Sequence, residues 1–162
     1  MISNIDQVNL ALKLLRDGLV PVCKKTWQKH YGEDWLNRVN QELHRPQHNP
    51  NPDDVAFLFN ALKATWAQVF GQSLGPSVRS LVFEVADVRN RWAHQQALSS
   101  DDILRALDSM ERILEAFDNA EERKQIRSLR ENLMRQLYGE GSRPEDKPTE
   151  EMKDNPTKSA RR

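Results

Sequence analysis

One stretch of the chain, Val88-Arg89-Asn90-Arg91-Trp92-Ala93-His94, carries residue types suited to phosphodiester chemistry. An imidazole moves protons near neutral pH, and a guanidinium holds a phosphate through two parallel hydrogen bonds. His94 would deprotonate a ribose 2′-OH or protonate the leaving 5′-oxygen, while Arg89 would stabilise the charge of a pentacoordinate phosphorane. Such a reaction cleaves RNA without a metal. The bare spacing is weak, because 15 arginines and 4 histidines make about one such pair expected by chance. A second pair does occur, Arg38 with His44. There the arginine is followed by Val39 rather than a polar residue, and the chain enters a proline-rich loop, so this pair is set aside.

Other chemistries find less support. No HExxH or CxxC spacing occurs, and Pro46 lies between His44 and His48, so no metal or other cofactor is expected. With 6 glycines there is neither a phosphate-cradling loop nor a dinucleotide fingerprint, and no GxSxG is present. Cys23, the single cysteine, reads as a small core residue rather than a nucleophile.

The elements that must position the 89–94 stretch read as helices throughout. Apolar residues recur at spacings of three and four, and strictly alternating β-branched runs are absent. A first helix is expected from about Asp6 to Arg16, stopped by Gly18, and a second from Pro21 to Gly32. Asp34 to Leu43 forms a short third. Residues 44–52, HRPQHNPNP, form a loop. Pro52, Asp53 and Asp54 open the next helix, which Gly71 closes, and Gly75-Pro76 starts the one that carries the 89–94 stretch. Ser99 or Ser100 with Asp101 and Asp102 caps a helix running to Phe117. A last helix at about 120–137 presents Ile126, Leu129, Leu133 and Leu137 on a narrow stripe, so it packs along one edge or pairs with another copy. Its arginines alternate with glutamates and read as solvated. Trp27, Trp35, Trp66 and Trp92 sit on apolar stripes and read as core.

The expected fold class is therefore all-α, an antiparallel bundle of about five or six helices. The helical domain spans 1–138, with its core at about 5–118 and an extension helix at about 120–137. Residues 139–162, rich in proline and charge without an aromatic residue, read as a disordered tail or linker.

Helical geometry sets Arg89 apart from the other arginines. At about 100° per residue it falls inside the stripe of Val82, Val85, Val88 and Trp92, whereas Asp87, Asn90 and His94 share the opposite side. A guanidinium among core positions is costly unless paired or functional. Two readings stand open: a buried arginine bonded to Glu84 or Asp87, or a catalytic arginine that meets His94 where the helix ends near Trp92.

Composition narrows the partners. The chain has 162 residues, with 24 Lys+Arg against 24 Asp+Glu and a pI near 6.9, so nucleic-acid binding through bulk positive charge is not expected. Contact with a polyanion would need a local patch. No apolar run approaches the roughly 18–20 residues of a membrane span, and no signal peptide is read at Met1. A soluble, cytoplasmic domain without membrane contact is the expectation.

Arg89-Asn90-x3-His94 near the end of a helix in an all-α bundle resembles the motif of the HEPN superfamily (higher eukaryotes and prokaryotes nucleotide-binding), which places a polar residue directly after the arginine. Gly18-Leu19-Val20-Pro21 with Tyr31-Gly32-x-x-Trp35 is more distinctive. It resembles the branch found in a eukaryotic nuclear mRNA-surveillance endoribonuclease and at the N-terminus of bacterial ATP-binding proteins linked to phage defence. The likeness covers about residues 5–118, and the helix at 120–137 is similar to an extension of those bacterial proteins. It implies a homodimer whose two motifs form a composite, metal-independent ribonuclease site leaving 2′,3′-cyclic phosphate ends. His94 would be the general acid/base, Arg89 the phosphate ligand and Asn90 the residue that orients them. Arg91, with Arg79, would line a positive groove that binds RNA. The resemblance also implies a role in phage defence and fusion to, or association with, an ATP-binding protein. Other members of the family are non-catalytic dimerisation, RNA-binding or partner-binding modules, which is the competing reading.

Overall fold

Six α-helices follow one another among residues 4–139, which the computed structural model describes. They are α1 (Asn4–Tyr31), α2 (Trp35–Glu42), α3 (Val55–Thr65), α4 (Gly71–Ala93), α5 (Ser100–Ala116) and α6 (Ala120–Tyr138). A π-helical turn over Trp66–Phe70 joins α3 to α4. The described residues contain no strand, so the all-α bundle expected from apolar spacing is present. The tail read at 139–162 lies, apart from Gly139, outside the described residues.

α1 is the spine, touching α2, α3, α5 and α6, and α5 lies between α4 and α6. Its face of Leu15, Leu19, Cys23 and Trp27 is essentially inaccessible to solvent. Phe57, Leu58 and Leu62 of α3, Val82 and Val85 of α4, and Leu107, Met110, Ile113 and Leu114 of α5 complete the core. Each large side chain buried in this way contributes about 1.5–3 kcal/mol. At one end the rings cluster, with Trp27 stacked on Trp35 at 5.9 Å and edge-on to Phe70 at 5.8 Å. The buried Trp27 indole N–H donates to Thr65 Oγ1 (2.9 Å), whose hydroxyl donates to the Ala61 carbonyl (2.7 Å). The aromatic core therefore has its polar atoms satisfied.

Three boundaries differ from the sequence reading. α1 runs unbroken through Gly18 and Pro21. A Cβ on Gly18 would lie 2.8 Å from Leu114 Cδ2, so this glycine admits α5 rather than ending a helix. Pro21 is exposed and removes one helical hydrogen bond, but Leu19, Val20 and Cys23 beside it are buried and hold the helix together. Gly71 does not close a helix either, since its backbone is helical and the turn continues. The break comes at Gly75, whose φ of 86° suits glycine, with Pro76 opening the straight part of α4.

α6 packs along one edge, against α5 and α1, with Ile126, Leu129 and Leu133 buried. Two of its arginines are not merely solvated. Arg127 Nε donates to Glu111 Oε1 at 2.9 Å, and Arg130 bonds the other oxygen of the same carboxylate. Glu111 is only 5% exposed, so these two guanidiniums make its burial tolerable.

Candidate functional site at the end of α4

α4 ends by closing its last carbonyls with backbone alone. His94 is the C-cap, and its N–H donates to the Asn90 carbonyl at 3.0 Å. Gln95 takes a left-handed φ of 59°, so that its N–H reaches Trp92 O (3.0 Å) and the Gln96 N–H reaches Arg91 O (2.9 Å). This is a Schellman closure with glutamine where glycine is usual. At the other end of the loop, Ser99 and Asp102 form a capping box: Asp102 N–H donates to Ser99 Oγ (3.0 Å) and Ser99 N–H to Asp102 Oδ2 (3.1 Å). Loop 94–99 is thus anchored at both ends.

The side chains of the stretch divide into used and unused. Arg91 Nη2 pairs with Asp102 Oδ2 at 3.4 Å, joining α4 to α5, so this residue is engaged rather than free. The Ser99 backbone N–H and hydroxyl hold the Asp102 carboxyl below the usual carboxylate range, and Arg91 adds to the effect. The Trp92 indole N–H donates to Asn9 Oδ1 at 3.0 Å, tying α4 to the start of α1. Asn9 and the double use of Asp102 had no visible signal in the sequence beyond the cap itself.

Arg89 is partly buried, and its one hydrogen bond is a long one from Nη1 to Asn90 Oδ1 (3.4 Å). It forms no ion pair among the described residues. Glu84 is occupied by Arg105 Nε (3.0 Å) and the Ser109 hydroxyl (3.0 Å), and Asp87 is exposed and not paired with it. The reading of Arg89 as a core arginine bonded to Glu84 or Asp87 therefore does not hold. Asn90 and His94 are both exposed.

The helix continues to Ala93, past the point at which an early end would have brought Arg89 and His94 together. Five positions apart, they lie about 140° apart around the axis, while Asn90 and His94 share a face. One chain thus presents Arg89 and His94 on different flanks of α4. Neither His94 nor Arg89 has a carboxylate partner among the described residues.

Elsewhere, Cys23 is fully enclosed and burial pushes its thiol far up, which leaves no thiolate for catalysis. No group of three or more His, Cys, Asp or Glu among the described residues is arranged to hold a metal ion. No helix among them is long and apolar enough to cross a membrane.

No match is found among curated proteins or among solved structures. The family model described as Swt1-like HEPN matches residues 10–118, from the second turn of α1 to just past the end of α5 and including the whole of the 89–94 stretch. With well over half of the chain covered, and with the all-α bundle and Arg89-Asn90-x3-His94 at the end of α4 in place, this protein belongs to the Swt1-like HEPN family.

Proposed function

We propose that the chain is a metal-independent endoribonuclease domain that acts on RNA as a homodimer. The observation that carries this reading is that Arg89, partly buried beside the core residues of α4, and the exposed Asn90 and His94 have no carboxylate engaged on them among the described residues, whereas Arg91, the other arginine at this helix end, is held by Asp102. A guanidinium left uncommitted beside core residues is available to a phosphate. The roughly 140° between Arg89 and His94 favours a site assembled from two copies, with Arg89 of one copy meeting His94 of the other across a two-fold axis. In that arrangement His94 moves the proton of the 2′-OH or of the leaving 5′-oxygen, Arg89 neutralises the phosphorane, and Asn90 orients Arg89. Arg91 lies next to this face and would contact substrate only by sharing Asp102. A cytoplasmic location, a part in phage defence and association with an ATP-binding protein belong to the same proposal and rest on the family resemblance.

The test is cleavage of mixed single-stranded and structured RNA in excess EDTA, with wild type beside His94→Ala and Arg89→Ala and with end-group analysis. Cyclic-phosphate ends that vanish in both variants are the expected result. If wild type leaves RNA whole while remaining a folded dimer, the catalytic reading fails and the non-catalytic interaction module takes its place.

A further inference from the structure

A cleft of about 610 Å3 opens between the loop after α2, the outer side of α3 and the middle of α4. Its walls include His44, Arg45, Asn60, Lys63 and Phe83, with Glu42 the one carboxylate among the lining residues. Neither Arg45 nor Lys63 forms an ion pair among the described residues. The Lys63 ammonium lies 5.6 Å from the Phe83 ring centroid, and Arg79 covers the same ring at 4.2 Å without being a wall of the cleft. Two cations that no carboxylate pairs among the described residues, an amide and an aromatic wall, against the single carboxylate of Glu42, make a concavity of this size that matches the two ends of a nucleotide, phosphate and base.

Position along α4 connects this cleft to the candidate site. Asn90 and His94 each lie within about 20° of Phe83 around the axis of α4, and about 40° from one another, at about 10 and 16 Å along the axis from that residue. Asp87, about 20° from His94 and 40° from Phe83, lies on the same side of the helix and borders that track.

We infer that this cleft is the remote subsite for single-stranded RNA, in which Arg45 and Lys63 hold a backbone phosphate and one base packs on Phe83, a few nucleotides from the bond that His94 would attack. The inference rests on the ribonuclease reading for its substrate. It names the strand's second anchor and accounts for how a chain of zero net charge engages a polyanion: through a local cluster rather than bulk charge. The exposed His44 adds a third donor at the mouth.

The experiment is binding of a fluorescent 2′-O-methyl RNA 12-mer, which lacks the attacking hydroxyl, followed by anisotropy across a salt series. The double variant Arg45→Ala with Lys63→Ala is expected to bind about tenfold more weakly, with a salt slope smaller by about 0.7, as for one phosphate no longer neutralised on a single strand. Phe83→Leu is expected to weaken binding about fivefold with the slope unchanged. A charge-matched control, Lys25→Ala with Lys124→Ala, should bind as wild type. Wild-type affinity and slope in the Arg45/Lys63 variant overturn the inference, as does displacement by AMP at concentrations where the oligonucleotide itself competes. Running the EDTA cleavage assay on the same proteins separates the two readings. Cleavage by wild type with no effect of the cleft variants sinks the cleft alone. RNA binding lost in those variants without any cleavage by wild type sinks the nuclease and leaves the cleft as an RNA site. A wild type that neither binds nor cleaves RNA sinks both.

Discussion

α4 and α5 end with the same backbone device and put it to different uses. After α5, Asp118 takes a φ of 59°, its N–H bonds the Glu115 carbonyl and the Asn119 N–H bonds that of Leu114. After α4, Gln95 takes the same φ and the same two hydrogen bonds close the helix. Beyond α5 the chain turns straight into α6: Phe117 is buried, and Arg127 and Arg130 fold back onto Glu111. Beyond α4 the next four residues, His94 to Ala97, are all exposed, and among the described residues the side chains of Arg89 and Asn90 hydrogen-bond only each other. An identical helix stop is thus followed by a returning helix in one place and by an exposed loop in the other, where Arg91 is paired with Asp102 and Arg89 with no carboxylate among the described residues. What separates a structural arginine from a candidate catalytic one here is whether a second helix returns to meet it.

The largest effect that contrast predicts is on activity. Arg89→Ala or His94→Ala should lower RNA cleavage by about 10²-fold or more, while stability stays within about 0.5 kcal/mol of wild type. Mixing the two inactive variants should restore cleavage if the site takes one residue from each copy. A large loss of stability in either variant would erase the distinction drawn above.

At the other helix end the signs reverse. Glu111→Ala should cost about 2 kcal/mol in urea denaturation, since the half-exposed Arg127 and the mostly buried Arg130 lose their shared acceptor. Cleavage per folded molecule should not change. A smaller effect is expected at the meeting of α1 with the end of α5. Gly18→Ala places a methyl 2.8 Å from Leu114 Cδ2, in a fully buried side chain with little room to move. Overpacking of about 1–3 kcal/mol, set against about 1 kcal/mol of better helix propensity, leaves a net loss near 1 kcal/mol, measurable as a lower denaturation midpoint.

The smallest effect is a pH dependence at the anchored loop. Because the Asp102 carboxyl is held below its ordinary value, its contribution is complete above the unfolded value of about 3.9 and is lost as pH falls through the lower folded value. The difference in Tm between wild type and Asp102→Asn should therefore be constant from neutral pH down to about 4 and shrink below it. A difference that grows on acidification would show that Asp102 is not held by Ser99 and Arg91 as described.

Local chemistry made much of this legible in the linear chain. Apolar residues at three- and four-residue spacing, the proline-dense loop at 44–52, Gly75-Pro76 and the Ser99/Asp102 cap each act within one or two turns, so the helices they bound could be placed from sequence. Arg89-Asn90-x3-His94 was visible for the same reason, as was its family. Gly18, Pro21 and Gly71 misled because each has the local chemistry of a stop, and only the packing of α1 on Leu114, of Cys23 and Trp27 in the core, and of the Trp66–Phe70 turn overrides it. The fates of the arginines were likewise out of reach. Whether Arg130 meets Glu111, Arg91 meets Asp102 or Arg89 meets no carboxylate depends on residues about 10 to 20 positions away, or on none at all. Pairing at that range is decided by how helices dock, because a guanidinium reaches only the neighbours that the tertiary fold sets beside it.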